Sequence, residues 1–141
     1  MENKTRCAWC EKDDLYRNYH DNEWGKPVYD DETIFEFLIL ETFQAGLSWY
    51  TVLAKRENFR KAFDNFDFIK IANYSEDKMA KLAEDTGIIR NKLKIKATVT
   101  NAKAFLKVQE EFGSFSKYIW GFVDGKPIDN KPKTLSEVKA T

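Results

Sequence analysis

Histidine is almost missing from this chain, and cysteine nearly so. One His, His20, and two Cys, Cys7 and Cys10, are all that its 141 residues contain. Two thiols spaced C-x-x-C exclude a disulfide-built scaffold for a chain of this size. A thioredoxin-like pair needs a βαβ setting, and no run alternates over strand length to supply one. A structural zinc site needs four donors. Cys7, Cys10 and His20 fall short unless a carboxylate, a water or another segment completes the set, and two quiet thiols are the plainer alternative. Net charge is missing too, since 23 Lys and Arg balance 23 Asp and Glu. That excludes binding to nucleic acid through bulk charge, though not through a local basic patch. No apolar run approaches the ~20 residues that span a bilayer. Residues Met1 to Arg6 lack the apolar stretch of a signal peptide. The expectation is a single globular domain over 1–141, cytoplasmic and without a membrane partner, with a core that needs no cross-links.

Aromatic residues are plentiful. Four Trp, six Tyr and eleven Phe make up 15% of the chain. Phe suits a core, whereas Trp9, Trp24 and Trp49 cluster early beside Tyr16 and Tyr19 and suit a flat ligand. The pattern reads as all helical. Helices are predicted over Asp13–His20, Asp31–Ala45 and Ser48–Phe63, then Asp67–Asn73, Ser75–Gly87 and Arg90–Phe112. A last short one follows to Phe122, capped by Ser114 or Ser116. Residues 123–141 read as a loop or tail, with Gly125, Pro127 and Pro132.

Three features carry chemistry. Glu41 falls with Ile34, Phe37, Leu38 and Ala45 on one flank of the second helix. A carboxylate on an apolar flank is paired, protonated or used, because burying it alone is costly. A core Glu satisfied by an Arg or a backbone amide is the alternative. Tyr16, Tyr19 and His20 share a face of the first helix. With Trp9 and Trp24 they make either an aromatic wall or a plain core face. Trp49 follows the Gln44–Ser48 turn and is expected across a pocket from Glu41. A carboxylate facing aromatic planes suits a flat cation, such as a damaged nucleobase. Finally, Lys92, Lys96, Lys103 and Lys107 form a basic stripe beside Ile95, Val99, Ala102 and Leu106. Phosphate contact needs such a stripe, and a solvated helix face also looks like one.

The run Cys7-Ala8-Trp9-Cys10, followed by Leu15-Tyr16-Arg17-Asn18-Tyr19-His20-Asp21-Asn22-Glu23-Trp24-Gly25, resembles the start of the DNA-3-methyladenine glycosylase I family. Leu40-Glu41-Thr42-Phe43-Gln44-Ala45-Gly46-Leu47-Ser48-Trp49 is similar as well, as are Val52 to Arg60, Gly87 to Ile95 and Tyr118-Ile119-Trp120. The resemblance implies an all-α fold of the helix-hairpin-helix glycosylase type and hydrolysis of the bond between deoxyribose and 3-methyladenine in double-stranded alkylated DNA. No lysine nucleophile is implied, so no lyase step. It implies Tyr16, Tyr19, Glu41 and Trp49 around the base, with Glu41 the catalytic carboxylate, free 3-methyladenine as product and a monomer as the working unit. It makes Cys7 and His20 two of four ligands of a structural zinc, and Cys10 not a ligand. Family members continue past the position of Thr141 into the DNA-anchoring hairpin and the other zinc ligands, so an incomplete zinc site and weak duplex binding are expected. The competing classes are a binding module that does not cleave and a protein-interaction domain with an aromatic groove. Release of free base from alkylated DNA separates the enzyme from both.

Overall fold

The computed structural model describes residues 5–126. Its helices, in chain order, are α1 Asp14–Asn22, α2 Asp31–Phe43, α3 Trp49–Ala54, α4 Arg56–Ala62, α5 Phe68–Ala72, α6 Glu76–Leu82, α7 Lys92–Phe112 and α8 Phe115–Trp120. Tight 3-10 turns stand at Ala8–Cys10, Asp64–Phe66 and Gly121–Val123. No strand occurs among the described residues, in line with the residue pattern. No described helix is long and apolar enough to cross a membrane.

Most helix starts are written in the sequence. Asp13, Asp30, Ser48, Ser75, Asn91 and Ser114 each accept a bond from a backbone N–H of the first turn, satisfying donors that a helix start leaves without partners. Gly113, at φ 88°, ends α7 in a conformation that suits glycine.

Several boundaries differ from expectation. The predicted helix from Ser48 to Phe63 is broken at Lys55, which leaves helical geometry at φ −99°, ψ 4°. No Gly or Pro marks the break. It brings Phe59 against Phe43, with ring centroids 4.8 Å apart, so packing rather than local propensity ends α3. α6 stops at Leu82 instead of Gly87, because the Asp85 carboxylate accepts from Gly87 N–H at 2.8 Å and forms a turn. α7 starts at Lys92 rather than Arg90, since Asn91 takes the capping position. α2 ends at Phe43 and α8 at Trp120, both short of expectation, while α1 runs two residues further, to Asn22. Of the predicted tail 123–141, residues 127–141 lie outside the described residues.

α2 runs through the middle of the core. Phe35, Ile39, Leu40 and Phe43 are fully buried on one side of it. Ile95, Val99, Ala102 and Phe105 of α7 meet them, together with Phe59, Phe63 and Ile71. α5 lies along α7, and α8 folds back onto α7 and α2. Each buried large side chain contributes about 1.5–3 kcal/mol of transfer free energy. α2 also carries apolar residues on its other side: Ile34, Phe37 and Leu38 fall on the face opposite this core. That second face lines a cleft.

Candidate active site

The end of α1 and the loop after it form one wall of the cleft, α2 its floor, and α8 the far wall. Tyr19, Glu23, Trp24, Lys26 and Val28 face Ile34, Phe37, Leu38 and Glu41, with Phe115 and Ile119 opposite, around about 380 Å³. That volume fits a small flat ligand.

Glu41 is exposed at the cleft, so of the two readings that the sequence left open it is not the core Glu. The flank is apolar because it borders the cleft. Its neighbours still strip water from the carboxylate and raise its pKa above the ordinary value. No cation pairs with Glu41 among the described residues. The result is an uncompensated anion in an apolar cleft, reachable from solvent.

The aromatic wall is present. The Trp9 ring lies 5.0 Å from that of Tyr16, 5.3 Å from that of His20 and 5.5 Å from that of Trp24. His20 and Trp24 stack at 5.5 Å. Tyr19 meets Trp49 of α3 at 5.5 Å. Burial first, and then the charges of Glu41 and Glu23, push the Tyr19 phenol up to about 12, so it stays a neutral hydrogen-bond donor at neutral pH. Trp49 Nε1 is buried beside the Tyr19 phenol, without a hydrogen bond of full geometry to it. Tyr16 sits one turn from Tyr19, against Trp9 and Tyr50, and burial raises its phenol pKa. Neither Tyr16 nor Trp49 is among the residues lining the open cleft.

A shell of polar contacts fixes these elements. Arg56 grips Glu23 with two bonds, at 2.6 and 3.0 Å, tying the cleft wall to α4. The Asp31 carboxylate accepts from Gln109 Nε2 at 2.7 Å and from the backbone amides of Phe115 and Ser116 at 2.9 and 2.8 Å, which docks α8. Trp120 Nε1 donates to the Val28 carbonyl at 2.7 Å while its ring stacks on Tyr29 at 4.6 Å. Tyr50 donates to Asp13, the cap of α1. Lys94 reaches from α7 to the carbonyls of Phe43 and Ala45. Residue reading missed Glu23, Lys26, Val28, Phe115 and Ile119 as cleft residues. Phe115 and Ile119 stand four apart, which gives them a common helix face, but nothing local says which element that face meets.

The zinc expectation concerns Cys7 and His20. The pair Arg6–Asp21, at 2.9 Å, and the Trp9–His20 contact hold the segments bearing Cys7 and His20 together. His20 Nδ1 lies 3.0 Å from Asp21. Cys10 is buried and its thiol leans on the Cys7 carbonyl at 3.1 Å. No three His, Cys, Asp or Glu among the described residues converge to hold a metal. These donors by themselves do not make a tetrahedral zinc set.

Of the basic stripe, Lys92, Lys96, Lys103 and Lys107 are all exposed. Ile95, Val99 and Ala102 are buried beside them. The stripe does not border the Glu41 cleft. Lys92 and Lys96 line a separate hollow with Glu76, Met79 and Ala83.

Comparison with known proteins returns the chemistry that this cleft suggests. The model of the methyladenine glycosylase family matches residues 9–141. The DNA-3-methyladenine glycosylase 1 of Escherichia coli K12 is 46% identical over 133 residues, 94% of this chain and 71% of the relative. The DNA-3-methyladenine glycosylase of Haemophilus influenzae is 46% identical over 134 residues, 95% and 72% of the two chains. A crystal structure of a 3-methyladenine DNA glycosylase I superposes with a TM-score of 0.91 at 46% identity, covering 96% of this chain and 74% of the other. A Staphylococcus aureus 3-methyladenine DNA glycosylase I, solved to explain recognition of 3-methyladenine, gives 0.91 at 39% identity and coverages of 95% and 71%. Matched in sequence over nearly its whole described length and in the path of its helices, the chain belongs to the methyladenine glycosylase family.

Proposed function

We propose that this protein is a monofunctional DNA glycosylase that hydrolyses the N-glycosidic bond of 3-methyladenine in alkylated duplex DNA, a step of base-excision repair in the cytoplasm. The observation that carries this reading is Glu41, an unpaired carboxylate in an aromatic-walled cleft. Methylation at N3 places positive charge on the adenine. A flat cation is the ligand that such a cleft binds in preference to a neutral base. Each good ring face contributes about 0.5–2 kcal/mol to a cationic base. Reaching the bond requires the nucleotide to leave the stack, at a cost of a few kcal/mol, least for a damaged base.

In this reading Tyr16, Tyr19, Glu41 and Trp49 are the base-binding residues and Glu41 is the catalytic carboxylate. Glu41 accepts from the polar edge of the base and complements its charge, Tyr19 donates, and Trp49 offers a ring face. The glycosidic bond breaks with its electron pair passing to the charged base, which leaves as neutral 3-methyladenine without a strong general acid, and water adds to the oxocarbenium-like sugar and loses a proton to bulk water. A monomer is proposed as the working unit. The exposed lysine stripe is proposed to touch phosphates outside the cleft. Cys7 and His20 are kept as a proposed pair of metal donors, and no step runs through a metal. The test is incubation with methylated duplex DNA. Release of free 3-methyladenine by the wild type and its loss in Glu41→Gln support the reading. Tight binding of free 3-methyladenine without release marks a binding module, and no response to either a protein-interaction domain.

A further inference from the structure

Lys94 lies in the stretch from Thr86 to Gln109, which is rich in Lys and holds no Asp or Glu, yet its charge is turned onto backbone carbonyls of the fold. It stands two residues from both Lys92 and Lys96, about 160–200° around the helix from the stripe. Its Nζ donates to the Phe43 carbonyl at 2.9 Å and to the Ala45 carbonyl at 2.7 Å. Those carbonyls end α2, where backbone acceptors lack intrahelical partners and the helix dipole is negative. The backbone of Lys94 is itself fixed at both groups. Its N–H donates to the Asn91 side chain at 3.1 Å, and its carbonyl accepts from Thr98 Oγ1 at 2.8 Å. The ammonium therefore reaches the end of α2 from an anchored base.

What Lys94 holds is the Gln44–Ser48 turn. This turn joins Glu41, near the end of α2, to Trp49, the first residue of α3. It passes through Gly46 at φ 80°, and Ala45, Gly46, Leu47 and Ser48 are all exposed. Buried side chains do not define its path. Backbone bonds from Gln44 N–H to Leu40 and Glu41, from Ala45 N–H to Thr42 and from Leu47 N–H to Gln44 hold its start, and the Lys94 ammonium ties the Phe43 and Ala45 carbonyls to α7.

We infer that Lys94 is a positioning residue for base recognition: it clamps the turn between Glu41 and Trp49 and so sets the carboxylate against the indole. The inference rests on the glycosylase reading above. It separates Lys94 from Lys92, Lys96, Lys103 and Lys107, which face solvent.

The test compares the full chain with Lys94→Met, which keeps the stem and removes the donors, and Lys94→Arg, which restores donors. Affinity for free 3-methyladenine, read by Trp fluorescence, is expected to fall about tenfold in Lys94→Met and to recover most of the way in Lys94→Arg. Duplex DNA affinity at several salt concentrations is measured alongside. The slope of log K against log salt is expected to stay as in the wild type. A slope smaller by about 0.9, with base affinity intact, would make Lys94 a phosphate contact and overturn the inference. Unchanged base affinity in Lys94→Met overturns it as well. A wild type that neither binds nor releases 3-methyladenine sinks the glycosylase reading instead. Hydrogen exchange then still decides the clamp: faster exchange at the Gln44 and Leu47 amides in Lys94→Met, but not in Lys94→Arg, supports it, and unchanged exchange refutes it.

Discussion

Glu41 has no cationic partner among the described residues, and apolar neighbours raise its pKa. Ionising it therefore costs the folded state something that it does not cost the unfolded chain. The sign follows: a raised folded pKa makes the ionised residue mildly destabilising above that pKa, and the effect vanishes in acid. Glu41→Gln is thus expected to weaken 3-methyladenine binding at least tenfold at pH 7 while leaving Tm unchanged or slightly higher. Base binding by the wild type should decline in acid with a midpoint above the ordinary carboxylate range, and Glu41→Gln should lack that limb. Fluorescence titration from pH 5 to pH 8 beside thermal melts checks both. Glu23 stands opposite in character, because Arg56 takes both its oxygens. Arg56→Met strands a part-buried carboxylate and is expected to cost about 1–3 kcal/mol. Adding Glu23→Gln should return part of that loss in urea unfolding, and a double variant no more stable than the single would show that the pair is not coupled.

α8 is held by a carboxylate from another helix. Asp31, in the first turn of α2, accepts from two amides at the start of α8 and from Gln109 of α7. Those amides are donors that α8 cannot satisfy internally. Asp31→Ala is expected to lower stability by about 1–3 kcal/mol. Faster hydrogen exchange at Phe115 and Ser116 than in the core of α7 would locate the loss in α8. An even loss across the molecule would contradict the clamp. This contact joins residues far apart in the chain. The caps were legible because they act within three residues, whereas nothing near Asp31 in the sequence says that its carboxylate reaches the start of α8.

For the whole molecule, two bindings should respond differently to salt. Free 3-methyladenine meets one carboxylate and several rings, so its affinity should barely change between low and moderate salt. Duplex DNA, if held by Lys92, Lys96, Lys103 and Lys107, should show a slope of log K against log salt of about −3 to −4 at most. A tight, salt-insensitive duplex complex would place the DNA contact elsewhere. Metal content makes a second check. The proposed pair Cys7 and His20 is two donors where a structural zinc takes four, so zinc added to this chain should be weakly held and stripped by a chelator. Stoichiometric zinc that resists chelation would overturn that.

The residue pattern alone determined that the chain is helical, where most helices begin, and which early residues carry chemistry. Caps act over three residues and apolar periodicity over a few turns, so both are local and readable. The family motifs put Tyr19, Glu41 and Trp49 in one region before any packing was known. Tertiary structure alone decided which apolar face of α2 is core and which is cleft. Both faces are apolar, and periodicity ranks hydrophobicity without saying what a face meets. For the same reason the sequence left Glu41 open between a core carboxylate and a cleft one, and the packing places it at the cleft. Packing also broke the predicted helix at Lys55, where no glycine or proline stands, to bring Phe59 onto Phe43. It took Lys94 out of the basic stretch and set it on the end of α2. A lysine's sequence neighbours say that it is charged, and only the arrangement of α7 against α2 says which carbonyls that charge finds.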